Sequence, residues 1–105
     1  MCRSRDKGER RFSNYLKNSS FHLLIQDVIE PLSKDLHFDF IVHAASSAHP
    51  GAMNDTPVEV MKANFLGTMN MLEYCREHSG CRFMFVSSSE VYGENFEGTP
   101  VFTED

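Results

Sequence analysis

The chain of 105 residues has no tryptophan, only six glycines and an odd number of cysteines, three in all. Cys2, Cys75 and Cys81 form no C-x-x-C pair, which argues against a disulfide framework and is typical of free thiols in a reducing compartment. The sequence shows neither a secretory signal nor an apolar run long enough to cross a bilayer. We therefore expect a cytoplasmic protein that does not enter a membrane.

Positive charge is also scarce. Ten Lys and Arg against fifteen Asp and Glu leave a net charge of -5, whereas nucleic-acid binding depends on clustered cations that face phosphates. The five histidines are scattered without metal-ligand spacing, so we expect neither a nucleic-acid partner nor a metal site. The length fits one domain with one modest core.

Apolar runs separated by breaker clusters predict the order helix, strand, strand, helix, strand. The first helix is predicted over residues 5–17, and the strands over residues 21–28, 38–43 and 81–86. The small and polar residues 44–55 are predicted to form a loop. Because a strand–helix–strand unit with an apolar crossover is nearly always parallel, this order predicts an α/β fold.

The clearest helix starts at Thr56, with Pro57 at its first position and Glu59 completing a capping box. Apolar residues then recur at three- and four-residue steps, which predicts one core-facing stripe. The stripe consists of Val58, Met61, Phe65, Met69 and Leu72. We expect the methionines of this helix, Met71 included, to fill the core, and Gly80 to end the helix.

Two of the predicted strands end in small or hydroxyl-bearing residues. Residues 87–90, three serines and a glutamate, follow the last strand, and residues 44–46 follow the strand at 38–43. Serines in such a place are often no more than turn formers. In open parallel sheets, however, ligands bind outside the carboxyl ends of the strands, so the two strand ends are predicted to line one crevice.

Three motifs in order, residues 43–46, 62–68 and 87–93, resemble the middle of an extended short-chain dehydrogenase/reductase. Within that family they are similar to the NAD-dependent nucleotide-sugar epimerases, dehydratases and decarboxylases. The third motif resembles the UDP-glucuronate decarboxylases and related sugar epimerases more than the dehydratases. The resemblance covers about residues 21–104. It implies a partial Rossmann (doubly wound) fold, with three parallel strands and flanking helices, in a single partial NAD-binding domain over residues 1–105.

The resemblance also implies roles for individual residues. Cofactor contacts are implied for Asp27, Val28, Ala44, Ala45, Ser46, Lys62, Ala63, Asn64 and Ser87. Ser88 is implied as the catalytic residue that hydrogen-bonds the sugar hydroxyl being oxidised, and Glu90 as a carboxylate used in proton transfer or in holding the sugar. The implied cofactor is NAD, with NADP less favoured. The implied substrate is a nucleotide sugar that is transiently oxidised at C4, and the full-length protein is expected to be a homo-oligomer.

Two signatures of that family are absent from the sequence. There is no G-x-G-x-x-G or G-x-x-G-x-x-G loop, and no tyrosine has a lysine four residues later. In the doubly wound order 3-2-1-4-5-6 the chain would then hold strands three, four and five. We expect the strand at 21–28 to pair beside 38–43, to pack poorly or to be covered by a partner chain, with exposed edges that favour aggregation.

The function implied is therefore that of a fragment of a nucleotide-sugar epimerase, dehydratase or decarboxylase, inactive as this chain. Two alternatives stay open. One is a truncated, non-catalytic binding module that pairs with a full-length subunit. The other is an unrelated flavodoxin-like domain in which the serines bind a phosphate.

Overall fold

The computed structural model describes residues 1–46 and 50–92. Its elements in chain order are α1 (Arg5–Arg11), β1 (Phe40–His43), α2 (Pro50–Asp55), α3 (Pro57–Glu77), β2 (Arg82–Phe85) and a single 3-10 turn (Ser89–Tyr92). The two strands are parallel neighbours, and α3 is the crossover that joins them. The α/β prediction is thereby confirmed. Within the described ranges no helix has the length and apolar character needed to cross a membrane.

The two strands pair from Phe40 opposite Arg82 to His43 opposite Phe85. Successive side chains of a strand point to opposite faces of a sheet. Ile41 and His43 are accordingly buried on the side of α3, at 9% and 4% exposure, while Phe40 and Val42 are exposed. The described part of the chain therefore covers one face of its sheet and leaves the other open.

The prediction of a third strand over residues 21–28 is wrong for the part of the chain that the structure describes. Only Ile25 forms a bridge, with Cys2, in which the Cys2 amide donates to the Leu24 carbonyl at 2.9 Å and the Gln26 amide donates to the Cys2 carbonyl at 3.0 Å. A cavity of about 450 Å³ lies between this bridged segment and β1. The physical reason is the missing neighbour: a strand needs a paired backbone beside it, and the doubly wound order places another strand in this gap.

Helix α3 buries a different face from the one predicted. Its buried residues are Val60, Gly67, Met71 and Tyr74. The predicted core stripe (Val58, Met61, Phe65, Met69 and Leu72) is instead 48% to 71% exposed. The expectation that its methionines fill the core therefore holds for Met71 and is wrong for Met61 and Met69. A 3.6-residue period marks a face as apolar, but it does not say which face the sheet covers.

The start of α3 was predicted correctly, but its N-terminal cap and its end were not. The helix does begin after Thr56, but the Thr56 side chain caps no amide of α3, so the predicted capping box is wrong. The Thr56 hydroxyl donates instead to the Ala52 carbonyl at 3.3 Å, because α2 precedes α3 directly where a loop was predicted. At the other end the helix already stops at Glu77, with His78 as its C-cap, so the prediction that Gly80 ends it is wrong. Gly80, with a φ of +101°, lies in the turn that follows.

The core is small and centres on Tyr74. It is formed by Val28, Ile41, Met71 and Tyr74, with half-buried neighbours around them. The Tyr74 hydroxyl donates to the Leu36 carbonyl at 2.5 Å and accepts from the Phe38 amide at 3.2 Å. These two bonds tie the connection before β1 to α3. No side chain within the described ranges is completely buried, as expected for a sheet with one open face.

Candidate functional site

The carboxyl ends of β1 and β2 lie side by side, since the Val86 amide donates to the His43 carbonyl at 3.0 Å. The residues that follow the two strands surround a first cleft of about 160 Å³. Its lining includes Ala44, Ala45, Ser46, Asn64, Ser87 and Ser88. The structure thus brings together most of the predicted site residues on the strand ends and places Asn64 of α3 beside them.

A second cleft, of about 170 Å³, lies next to the first. Its lining includes Arg3, Asp27, Val28 and Ala63, and it shares Ala45 and Ser46 with the first cleft. Each cleft is smaller than a typical ligand pocket of roughly 300–1,000 Å³. The shared residues make the two clefts adjoining parts of one surface.

Two predicted site residues stand apart from this arrangement. Lys62 lies on the exposed side of α3, outside the lining of both clefts. The Glu90 side chain lies outside the described part of the structure, although its backbone belongs to the 3-10 turn after β2. The prediction for Glu90 therefore depends on its sequence motif alone.

A hydrogen-bonded chain links β1 to the first cleft. The Thr68 hydroxyl donates to the Asn64 carbonyl at 2.6 Å, so its oxygen is left to accept from Nε2 of His43 at 3.0 Å. Burial lowers the pKa of His43 below its ordinary value of 6.5, because desolvation disfavours the charged imidazolium. A neutral His43 that is protonated on Nε2 therefore holds the turn of α3 that carries Asn64.

In the second cleft the Asp27 carboxylate has one local partner and one distant one. It accepts from the Ile29 amide at 3.2 Å, and an Arg3 guanidinium nitrogen lies 3.8 Å away on a side chain that is 72% exposed. An exposed ion pair of this kind contributes little to stability. The carboxylate therefore keeps capacity to accept hydrogen bonds from the hydroxyl or amino groups of a ligand.

Sequence reasoning missed the two residues that hold Val28 against α3. A Cβ on Gly67 would lie 2.8 Å from Cγ2 of Val28, and the Asn70 side-chain amide donates to the Val28 carbonyl at 3.1 Å. Glycine in a helix interior lowers helix stability by about 1 kcal/mol relative to alanine. Its presence at position 67 therefore indicates that another part of the chain approaches the helix closely there. No comparable signal marks Asn70.

Two adjoining clefts at the carboxyl ends of parallel strands, lined by small residues and hydroxyls, lie where open α/β sheets bind their ligands, and the fold is of the α/β class. The chain belongs to the NAD dependent epimerase/dehydratase family, which it matches over residues 3–105. This membership confirms the family resemblance, identifies NAD as the family's cofactor and removes the flavodoxin-like alternative.

The chain is similar to several UDP-glucuronic acid decarboxylases. It is 37% identical to decarboxylase 4 of Arabidopsis thaliana over 90 residues, which are 86% of this chain and 20% of that protein. It is 41% identical to decarboxylase 1 of the same plant over 80 residues, 76% of this chain and 18% of that protein. For decarboxylase 1 of Danio rerio the identity is 36% over 86 residues, 82% of this chain and 20% of that protein. The chain thus spans about a fifth of the length of these relatives.

The side chains that line the clefts are compatible with contacts to a dinucleotide, although each cleft by itself is smaller than a typical ligand pocket. Ala44 and Ala45 present no side chain beyond a methyl group, which leaves room for a cofactor to pass close to the backbone, and Asp27 offers a carboxylate to a nucleoside. Pyrophosphate is usually bound by a glycine loop at a helix N-terminus, and the sequence contains no such loop.

Proposed function

We propose that this chain is a fragment of an NAD-dependent nucleotide-sugar epimerase, dehydratase or decarboxylase that acts by transient oxidation at sugar C4. The observation that carries the proposal is the pair of adjoining clefts, with Asp27 in one, Ser88 in the other and Ala45 in both. The similarity to UDP-glucuronic acid decarboxylases favours a nucleotide sugar of the UDP-glucuronic acid type as substrate.

Within this proposal the cofactor, when bound, supplies the hydride acceptor and donor. Asp27 and Val28 bind its adenosine end, and the small residues 44–46 let it approach the backbone. Ser88 hydrogen-bonds the sugar hydroxyl that loses its proton. Glu90 handles a proton or holds the sugar, and Lys62 contacts the cofactor. These two roles are supported by the sequence motifs alone.

Fragment status is supported by the cavity of about 450 Å³ between the bridged segment and β1. A further parallel strand there would complete the doubly wound order. The tyrosine and lysine that the family uses as base are absent from the sequence, so we propose that this chain alone is catalytically inactive. The same cavity favours the second candidate, a non-catalytic binding module that pairs with a full-length subunit.

The two candidates differ in what completes the chain. Mixing the purified chain with a full-length family member that carries its own glycine loop tests the second candidate, with light scattering as the readout. A stable complex of one chain with one subunit supports the binding module. Absence of a complex, together with turnover of UDP-glucuronate by a polypeptide extended by the neighbouring coding sequence, supports the fragment.

Cofactor binding is tested by titrating NAD into the isotopically labelled chain and following the backbone amide resonances. We expect shifts at residues 27–28, 44–46 and 63–64, with weak affinity because the pyrophosphate loop is missing. Ala63→Leu fills the second cleft and should abolish the shifts. Glu59→Leu changes an exposed residue of the same helix that lines neither cleft, and serves as the matched control. Shifts that avoid both clefts, or that survive Ala63→Leu, would contradict the proposed roles.

For the full-length protein we propose a homo-oligomer in the cytoplasm. The exposed apolar stripe of α3 supports the oligomer, because contiguous apolar surface on one helix commonly marks an interface. The unpaired cysteines support the location. Light scattering of the extended polypeptide should show a dimer or larger species, and Phe65→Ser should shift it towards the monomer, whereas the exposed control Lys62→Ser should not.

A further inference from the structure

Cys75 and Cys81 face each other across the turn between α3 and β2. The Cys75 thiol donates to the Cys81 sulfur with the two sulfurs 3.3 Å apart. Both side chains are half-buried and pack against the core cluster. Gly80, with its φ of +101°, turns the chain between them. The fold therefore holds two thiols in contact, and no role in the clefts accounts for them.

We propose that Cys75 and Cys81 are a redox-sensitive dithiol that a low-molecular-weight disulfide, such as oxidised glutathione, converts into an intramolecular disulfide. A disulfide has a sulfur–sulfur distance of about 2.0 Å, so the sulfurs must approach by roughly 1.3 Å. Both cysteines lie beside a turn, where small changes of backbone and side-chain torsion can supply this movement.

The reaction is thiol–disulfide exchange in two steps. The Cys81 sulfur, as thiolate, attacks one glutathione sulfur, and the glutathione disulfide bond breaks to release one glutathione thiolate. The Cys75 sulfur then attacks the sulfur of Cys81 and displaces the second glutathione. The two cysteines together lose two protons and two electrons, and one glutathione disulfide is reduced to two thiols.

The assignment of Cys81 as the first attacking group follows from the environment of its partner. Burial, followed by the hydrogen bond to Cys81, raises the pKa of Cys75 to about 11. Cys75 is therefore a protonated thiol at neutral pH, and a thiol is a poor nucleophile. Once Cys81 carries glutathione, the contact between the two sulfurs compensates for the low nucleophilicity of Cys75, because the second step is intramolecular.

The disulfide would connect the last turns of α3 to the residue before β2. The opposite end of β2 leads directly to Ser87 and Ser88 of the first cleft. Oxidation would therefore tie together the two elements that position this cleft. The reaction itself does not depend on the proposed function and can be tested in the chain as it stands.

The test is to incubate the folded, reduced chain with oxidised glutathione and to identify the products by mass spectrometry of the intact protein and its peptides. We expect the loss of two hydrogen atoms, a Cys75–Cys81 cross-linked peptide and one remaining free thiol on Cys2. Cys75→Ser should stop at a mixed disulfide on Cys81. Cys2→Ser should behave as the unmodified chain does.

Repeating the reaction in concentrated guanidinium chloride tests whether the folded structure promotes the internal disulfide, or whether the short separation of the two cysteines in sequence is sufficient. We expect the internal disulfide to form at least about tenfold faster in the folded chain than in the denatured one. Equal rates in the two states, cross-links that involve Cys2, or mixed disulfides on all three cysteines would overturn the proposal. The result with the unmodified chain stands even if a serine variant fails to fold.

Discussion

The two faces of α3 are both apolar in sequence, yet they differ in what covers them. One face packs against the sheet through Met71 and Tyr74, each only 4% exposed, whereas Met61 and Phe65 on the other face are 71% and 67% exposed. Periodicity shows that a face is apolar, but the element that covers it is decided by the topology. In this chain the sheet covers one face, and the described residues leave the other open to solvent.

The sharpest test of this comparison replaces the same residue type on the two faces. Met71→Ala should lower the free energy of unfolding by about 2–4 kcal/mol, because it leaves a cavity in a small core. Met61→Ala should change it by less than about 0.5 kcal/mol. Urea unfolding followed by circular dichroism measures both. Similar losses for the two variants would mean that the faces do not differ in burial.

A second test concerns the close approach of α3 to Val28. Gly67→Val should lower the free energy of unfolding by about 1–3 kcal/mol, because its Cβ would lie 2.8 Å from Cγ2 of Val28. Met69→Val introduces the same β-branched residue on the exposed face and should cost only a few tenths of a kcal/mol. If Gly67→Val unfolds at the same urea concentration as Met69→Val, the contact with Val28 is not formed.

A third, smaller effect is expected at Tyr74, whose hydroxyl joins the buried face to the segment before β1. Tyr74→Phe removes the bonds to the Leu36 carbonyl and the Phe38 amide, and should cost about 1–2 kcal/mol. Tyr15→Phe is the control, because Tyr15 is 57% exposed. Amide exchange at Phe38 should also accelerate in Tyr74→Phe, and unchanged exchange would contradict the role given to the hydroxyl.

The smallest effect is expected from His43, which joins β1 to the edge of the buried face of α3. Its pKa is lowered by burial from the ordinary 6.5, so the unfolded chain binds this proton more readily than the folded one. This contribution to stability is present above about pH 6.5 and is lost as the pH falls towards the folded pKa. Urea midpoints between pH 5 and 8 should fall less steeply in His43→Gln, and an unchanged slope would contradict this assignment.

Local signals predicted the elements whose neighbours are present. The strands at 38–43 and 81–86 and the long helix were found because their apolar runs and Pro57 are short-range features. The strand at 21–28 was predicted from the same kind of signal and does not form, because its backbone lacks an adjacent strand. The capping box failed at Thr56 because α2, which the sequence did not indicate, offers the hydroxyl another partner.

The candidate site likewise contains some residues that the sequence predicted and others that it did not. The residues that follow β1 and β2 were predicted to share a crevice, because the carboxyl ends of parallel strands meet at one edge, and the structure places Ala45 and Ser88 around one cleft. Asn70 and Thr68 were missed because their roles depend on contacts between residues far apart in sequence. A polar residue within a helix gives no sign of such a partner until the fold is known.

Ala63 and Asn64 are consecutive in α3, yet Ala63 lines the second cleft and Asn64 the first. Successive helical residues are separated by a rotation of about 100° and a rise of about 1.5 Å, and this single step assigns one residue to each end of the proposed cofactor. The helix thereby fixes both the direction and the axial position of each of the two side chains. Inserting one residue between Asn64 and Gly67 would rotate the two cleft residues by about 100° relative to the residues that pack α3 against Val28 and the sheet, so that neither would face its cleft.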